Sequence, residues 1–162
     1  MKKYKNFDVI YVAIKLCEKS QAMLLEMANE FLPKAVPGIM SSFKRSCEHI
    51  TLAFGDNVSD SLLKLIGQTV VGLHPYMVIM DDVAGGLFFQ KKEFELREIP
   101  WIGSTEESKP HVTLWHHVAV APVAVGTLPS RNHTTLVADP TATLEGKISA
   151  FVKREDNQAF WI

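Results

Sequence analysis

The amino-acid sequence predicts an α+β fold, built mostly of antiparallel sheets with helices packed on their outer faces. Strand-like and helix-like segments alternate in the first half of the chain, whereas the second half is almost entirely strand-like. Gly, Pro and polar residues separate these strands at short intervals, a pattern more typical of antiparallel than of parallel sheets. The chain has 162 residues, enough for one domain with a substantial core. We therefore expect a single domain over residues 1–162.

A strand and a helix open the predicted order of elements. Residues 8–16 are rich in β-branched and apolar side chains over a length typical of a buried strand. From Glu18 to Leu32 apolar residues recur every three or four positions, which predicts an amphipathic helix that Pro33 ends. A loop through Pro37-Gly38 then leads to a strand over His49–Phe54.

A short leucine-rich helix follows the break at Gly55, with Asn57 or Ser59 as its N-cap and Gly67 placed to end it. Helix signals are scarce after that point. Five later segments are predicted as strands, namely Val70–Met80, Gly86–Gln90, Lys92–Ile99, His111–Val118 and Leu144–Val152.

Composition and charge limit the classes of partner. Hydrophobic residues make up 47% of the chain and charged residues 22%, which is ordinary for a folded globular protein. The net charge of −1 lacks the basic excess that a protein needs to hold duplex DNA. A small nucleotide or one end of an RNA is a better match to this charge. We expect a monomer that binds such a ligand.

The cysteines and the hydropathy of the chain bear on its cellular compartment. Cys17 and Cys47 are isolated in sequence and fit no metal-ligand spacing, so we expect reduced thiols. No apolar stretch approaches the roughly 18 residues that span a bilayer, and the first residues do not resemble a signal peptide. We therefore expect no membrane association and a cytoplasmic location, which would be the host cytosol for a viral protein.

The tetrapeptide His-x-Thr-Leu occurs three times, at His49–Leu52, His111–Leu114 and His133–Leu136. In a strand, residues two apart point to the same face, so His and Thr project together while the intervening apolar residues face a core. The third copy follows a polar turn and lies much closer to His111 than His111 does to His49. We interpret it as lying outside the site, with the alternative that His133 binds substrate at the rim.

Two such copies are suited to phosphodiester chemistry. If their strands are neighbours, Thr51 and Thr113 can donate hydrogen bonds to one phosphate. Of the two imidazoles, His49 and His111, one can take a proton from the attacking oxygen while the other protonates the leaving oxygen. This chemistry needs no metal and no cofactor. A single copy would more often be an ordinary strand residue pair, but the matched pair favours catalysis.

Other side chains are candidates for substrate contact. Tyr11, Phe54, Trp115 and Trp161 offer ring faces on which a base could stack, worth about 1 to 3 kcal/mol per base. For Phe54 a core position is the preferred interpretation, and Tyr11 is the strongest candidate for stacking or phosphate contact. Four basic residues are candidates to attract phosphate, although such residues usually only hydrate a surface: Lys44, Arg45, Lys91 and Lys92.

A metal site is not predicted. His116 and His117 are adjacent and point to opposite faces of a strand, and no HExxH motif is present. The sequence also lacks the GxGxxG, GxxxxGK[ST] and GxSxG motifs of dinucleotide-binding, nucleoside-triphosphate-binding and serine-hydrolase sites.

The paired motifs resemble those of the 2H phosphoesterase superfamily. Within it the chain resembles the cyclic phosphodiesterase part of plant and fungal tRNA ligases, through residues 11–15, His49–Leu52, Lys109–Trp115 and Thr127–Pro129. It is also similar in size and motif layout to phage anti-CBASS nucleases. The resemblance implies two pseudosymmetric lobes of antiparallel sheet around a central cleft.

The same resemblance implies metal-independent cleavage of nucleotide phosphodiesters. The substrates it implies are 2′,3′-cyclic phosphates, or cyclic or 2′,5′-linked oligonucleotide messengers. Two alternatives remain open at this point, processing of RNA ends and a nucleotide-binding module without turnover. The sequence does not say which histidine is the acid and which the base.

Overall fold

The computed structural model describes residues 1–36, 40–131, 133–138 and 142–162, so the predicted Pro37-Gly38 loop lies outside the described residues. Segments of 3₁₀ helix occupy Met40–Ser42, Gly55–Asn57 and Pro122–Ser130. The strands and helices are β1 (Lys3–Tyr4), β2 (Phe7–Leu16), α1 (Glu18–Ala35), β3 (Phe43–Arg45), β4 (His49–Phe54), α2 (Asp60–Lys64), β5 (Thr69–Leu73), β6 (Met77–Met80), β7 (Ala84–Phe88), α3 (Lys91–Leu96), β8 (His111–His117), β9 (Thr134–Val137), β10 (Leu144–Lys153) and β11 (Ala159–Trp161).

All eleven strands of the described residues belong to one open antiparallel sheet, which confirms the predicted α+β class. Its main path runs β11-β10-β2-β4-β8-β7-β6-β9, with β1 added to β2, β5 to β10 and β3 to β8. The two halves of the path meet between β4 and β8, which share one register pair, Ile50 with Val112. This narrow junction lies between the first two His-x-Thr-Leu segments.

One face of the junction is packed against α1. Ile50 and Leu52 of β4, and Val112 and Leu114 of β8, are fully buried in the core. Each such buried side chain contributes about 1.5 to 3 kcal/mol relative to an exposed one. The α1 residues in the same core are Leu24, Ala28 and Leu32. The apolar half of each tetrapeptide is thereby fixed, and the polar half lies on the other face.

Helix α1 continues past the predicted end at Pro33 and finishes at Ala35, where Val36 N–H donates to Leu32 O over 3.0 Å. Proline removes one backbone donor within the helix, but here it does not stop the last turn. The Ser59 cap is confirmed, because its hydroxyl accepts from Leu62 N at 3.1 Å. Among the described residues, no helix is both long and apolar enough to cross a membrane.

The strand predicted over Lys92–Ile99 is wrong, because this segment forms α3 and its exit. Phe94 and Leu96 mimic the two-residue period of a strand, yet Phe94 is buried and Leu96 is 76% exposed. A helix separates these two side chains by about 200°, whereas a strand would put them on one face. The surrounding Lys and Glu residues also favour a helix.

The strand predicted over Val70–Met80 is interrupted at His74-Pro75-Tyr76 and becomes β5 and β6. These two strands join distant parts of the sheet, since β5 pairs with β10 while β6 pairs with β7 and β9. Strands β1 and β3 were not predicted, and neither were β9 and β11. The last two are short, at 4 and 3 residues, and each ends the main path of the sheet.

Candidate functional site

The first two His-x-Thr-Leu segments lie side by side on β4 and β8. Because the strands are antiparallel and Ile50 pairs with Val112, the register puts His49 across from Thr113 and Thr51 across from His111. These four side chains share the sheet face opposite the α1 core. Each histidine therefore has the threonine of the other segment as its cross-strand neighbour, in a local two-fold arrangement.

The four side chains line a cavity of about 430 Å³, together with residues of the rim. This volume falls within the range of small-molecule sites, about 300 to 1,000 Å³. The two imidazoles are close enough for charge on His111 to lower the pKa of His49. The four residues that the sequence predicted to be catalytic therefore lie together in one cavity.

Each of these two strands carries an extra residue directly after the threonine. Thr51 pairs with Ala13 and Ala53 pairs with Val12, which leaves Leu52 without a partner on β2. In the same way Leu114 is the extra residue of β8 opposite β7. A β-bulge of this kind shifts the alternation of faces by one. The residue three positions after each threonine, Phe54 on β4 and His116 on β8, consequently lines the cavity.

The predicted role of Trp115 in base stacking is wrong. Simple alternation would put Trp115 on the face of His111 and Thr113, but the bulge turns its side chain away, and the ring is 0% exposed. The indole packs against Gly85, where a Cβ would lie only 2.3 Å from the ring. Gly85 provides the space for the indole, and no ring face remains for a ligand.

His49 is held by aromatic contacts. Its ring stacks on Tyr11, with centroids 5.2 Å apart and planes at 22°, and meets Trp161 edge-on at 5.5 Å. Nδ1 is buried and has no hydrogen-bond partner among the described residues, so Nε2 is the nitrogen available to the cavity. Burial lowers the pKa of His49, and the negative charge of Glu48 opposes that shift.

His111 is also stacked on an aromatic ring, but its Nδ1 has a partner. Its ring lies 5.5 Å from Phe88 with planes at 30°. Nδ1–H donates to Lys109 O over 2.8 Å, which fixes the tautomer because a carbonyl only accepts. Burial lowers the pKa of His111, opposed by this hydrogen bond. A Cβ on Gly126 would lie 3.0 Å from His111 Cε1, so glycine allows this backbone to cover the ring.

The remaining predicted contact residues differ in exposure. The preferred core position of Phe54 is wrong, because the bulge turns its side chain to the cavity, where it is 41% exposed beside Tyr11. Burial, aided by the charge of Glu48, raises the pKa of Tyr11 to about 12, so its hydroxyl stays protonated and able to donate. Trp161 packs behind His49 and Tyr11, with Lys15 Nζ 5.3 Å above its ring, and does not line the cavity.

One wall of the cavity was missed by the sequence analysis. It is formed by residues 101–104, and Ile102 in this wall is 45% exposed. The bulges help to hold the walls, because Leu52 O accepts from Ile102 N at 2.8 Å and Leu114 O accepts from Ser46 N at 3.1 Å. The available signal was the Trp-Ile-Gly run in a loop, an apolar segment where polar residues are usual.

The third tetrapeptide lies elsewhere. His133 is exposed and precedes β9, which pairs with β6 at the end of the sheet, and it does not line the cavity. In the described part of the chain, no three His, Cys, Asp or Glu side chains are grouped closely enough to hold a metal ion.

Comparisons with known proteins bear on the fold. No protein-family model matches the chain, and no curated protein matches it either. Among solved structures, the crystal structure of TT0787 of Thermus thermophilus is similar with a TM-score of 0.50 and 14% sequence identity. The match covers 95% of this chain and 93% of that one. At this identity the likeness shows a shared fold over nearly the whole length.

Proposed function

We propose that the protein is a metal-independent phosphodiesterase of the 2H type that cleaves small nucleotides. The observation that carries the proposal is the antiparallel pairing of two His-x-Thr segments over one cavity, with each histidine across from the other threonine. This arrangement provides two proton-transfer groups and two hydroxyl donors around a single phosphate-sized position. The substrates are 2′,3′-cyclic phosphates, or cyclic or 2′,5′-linked oligonucleotides.

The two histidines have different roles in this proposal. His111 is the general base, because its Nδ1–H bond to Lys109 O leaves a lone pair on Nε2 in the neutral ring. We assign His49 as the general acid: burial lowers its pKa, and the charge of Glu48 opposes that lowering and so favours the imidazolium form. Burial also lowers the pKa of His111, and the opposing contribution there comes from the hydrogen bond to Lys109 O, whereas at His49 it comes from a carboxylate.

The reaction follows from these roles. His111 Nε2 takes the proton of the attacking oxygen, which belongs to water for a 2′,3′-cyclic phosphate and to a ribose hydroxyl for a cyclic or 2′,5′-linked oligonucleotide. The hydroxyls of Thr51 and Thr113 donate to the non-bridging phosphate oxygens, where negative charge increases. His49 Nε2 gives its proton to the departing ribose oxygen as the P–O bond breaks.

A substrate profile tests the proposal. Hydrolysis is measured on 2′,3′-cyclic mononucleotides, cyclic dinucleotides, 2′,5′-oligoadenylate and RNA ending in a cyclic phosphate. Turnover of at least one small nucleotide is expected, and His49→Ala or His111→Ala should lower kcat by about 10²-fold to 10⁴-fold. His133→Ala is the matched control, since it removes the histidine of the exposed third segment and should leave kcat unchanged.

Other outcomes would replace the proposal. Turnover of long RNA alone would indicate an RNA-end processing enzyme. Equal nucleotide binding by the wild type and His49→Ala, with no product from either, would indicate a binding module. Loss of activity on addition of EDTA would indicate a metal-dependent hydrolase.

A further inference from the structure

His116 is a buried histidine that the proposed reaction does not use. It lines the cavity and is 7% exposed. Its Nδ1–H is shared between Val120 O at 2.9 Å and His117 O at 3.0 Å, which fixes the ring and leaves Nε2 as the other polar atom. Burying an imidazole has a desolvation cost that an apolar side chain would avoid. A ligand contact at Nε2 would account for histidine at this position.

Lys44 lies next to His116 on the same face of the sheet. The two residues are register partners between β3 and β8, and directly opposed residues of antiparallel strands share a face. Lys44 also lines the cavity. Within the described residues, no carboxylate lies within ion-pair distance of its Nζ. Lys44 and His116 thus line the same part of the cavity, side by side on neighbouring strands.

This end is distinct from the position of the reacting phosphate. His116 is three residues beyond Thr113, which is about 7 to 10 Å along a bulged strand. By the local two-fold arrangement it corresponds to Phe54, and the antiparallel strands put Phe54 and His116 at opposite ends of the cavity. Glu48 is the carboxylate that lines the cavity, and its negative charge favours a higher pKa at both His49 and Tyr11.

We propose that Lys44 and His116 form a second phosphate-binding subsite beside the reaction centre. A protonated His116 donates from Nδ1 to Val120 O and from Nε2 to a phosphate oxygen, and Lys44 supplies a further charged donor. The preferred substrate then carries a phosphate one nucleoside away from the scissile one, as an oligonucleotide or cyclic oligonucleotide does and a 2′,3′-cyclic mononucleotide does not. This inference rests on the proposed function for the identity of the reacting phosphate.

Two compounds that differ by one phosphate test the subsite. They are adenosine 2′,3′-cyclic phosphate and the same molecule with a 5′-phosphate. The wild type should show a KM about 10-fold or more lower for the 5′-phosphorylated compound, in line with one charged hydrogen bond. His116→Asn and Lys44→Gln should remove this preference while changing kcat and the KM of the unphosphorylated compound less than 2-fold.

Matched variants separate a binding role from a structural one. His116→Asn keeps a donor near the Nδ1 position and loses Nε2, whereas His116→Gln reaches toward the Nε2 position and should retain part of the preference. Lys44→Arg keeps the charge and should retain it as well. Equal KM values for the two compounds in the wild type, or a preference that persists in both His116→Asn and Lys44→Gln, would overturn the subsite.

Binding measurements distinguish failure of the subsite from failure of the reaction. Calorimetric titration with both compounds measures the preference for the 5′-phosphate without catalysis. The wild type is compared with His116→Asn, and both are measured in the His49→Ala background if the compounds are turned over. If neither compound is cleaved but the 5′-phosphorylated one binds more tightly only when His116 is present, the reaction proposal fails and the subsite stands. If both are cleaved equally well and bind equally, the subsite fails and the reaction stands.

Discussion

Strands β4 and β8 carry the same tetrapeptide and the same bulge, but they hold their histidines differently. His49 stacks on Tyr11 and His111 on Phe88, so an aromatic ring from the neighbouring strand orients each imidazole. Of the two imidazoles, only that of His111 has a carbonyl partner for its Nδ1 among the described residues. Two copies of one backbone pattern therefore place their imidazoles in different surroundings, and the two proton-transfer roles that we propose depend on that difference.

The cross-strand arrangement predicts a symmetric loss from the two threonines, smaller than the loss expected from either histidine. Thr51→Val and Thr113→Val keep the shape of the side chain and remove one donor to a charged phosphate. Each should lower kcat/KM by about 10-fold to 150-fold, corresponding to about 1.5 to 3 kcal/mol. Steady-state kinetics on the best small nucleotide checks this. A loss in only one variant would show that a single threonine contacts the phosphate.

The residues after the two bulges predict an asymmetric effect. Phe54→Ala should raise KM by about 5-fold to 150-fold if a base stacks on its exposed ring. Trp115→Phe, on the corresponding strand, is the control and should leave KM within 2-fold, because the indole is enclosed and its Nε1 has no partner among the described residues. Melting temperature is measured for both variants. Equal KM changes would contradict the assignment of faces.

The charge beside His49 predicts the smallest effect, a shift in pH dependence. Burial lowers the pKa of both histidines from 6.5. The base must be neutral and the acid protonated, so kcat/KM should be highest below pH 6.5 and fall as the pH rises through the pKa of His49. Glu48→Gln removes a charge that raises this pKa, and the alkaline limb should move to lower pH.

At pH 7 this shift should reduce kcat/KM by about 1.5-fold to 5-fold, as expected for a partly screened pair worth about 0.2 to 1 kcal/mol. Glu48→Asp keeps the charge and should follow the wild type more closely. A full pH–rate profile is the measurement. Movement of the acid limb instead would mean that His49 is the base and His111 the acid.

The sequence predicted the antiparallel α+β class and the cavity-facing side of both tetrapeptides, because the two-residue period of a strand depends only on local order. It did not predict the faces of Phe54 and Trp115. The extra residue in each strand is a leucine, which looks like any other apolar strand residue until its partners across the sheet are known. The strand predicted through Phe94 and Leu96 was wrong for a related reason, since a short apolar alternation fits a strand and a helix equally well.

The rim of the cavity could not be predicted from the sequence, because it is built from residues far apart in the chain. The wall over residues 101–104 is joined to β4 by the hydrogen bond from Ile102 to Leu52, and Lys44 faces the cavity only because β3 pairs with β8. No local sequence pattern predicts either contact. Both depend on pairing across the sheet, which the spacing of motifs does not determine.

The short strands that end the sheet bear on how the protein behaves when concentrated. The main path finishes on β11, of 3 residues, and on β9, of 4 residues, and β5, of 5 residues, is a further edge strand beside β10. An edge this short offers few free backbone groups to another molecule, which discourages edge-to-edge stacking into fibrils. Solutions of high concentration should therefore resist growth of extended cross-β aggregates, despite a sheet of eleven strands.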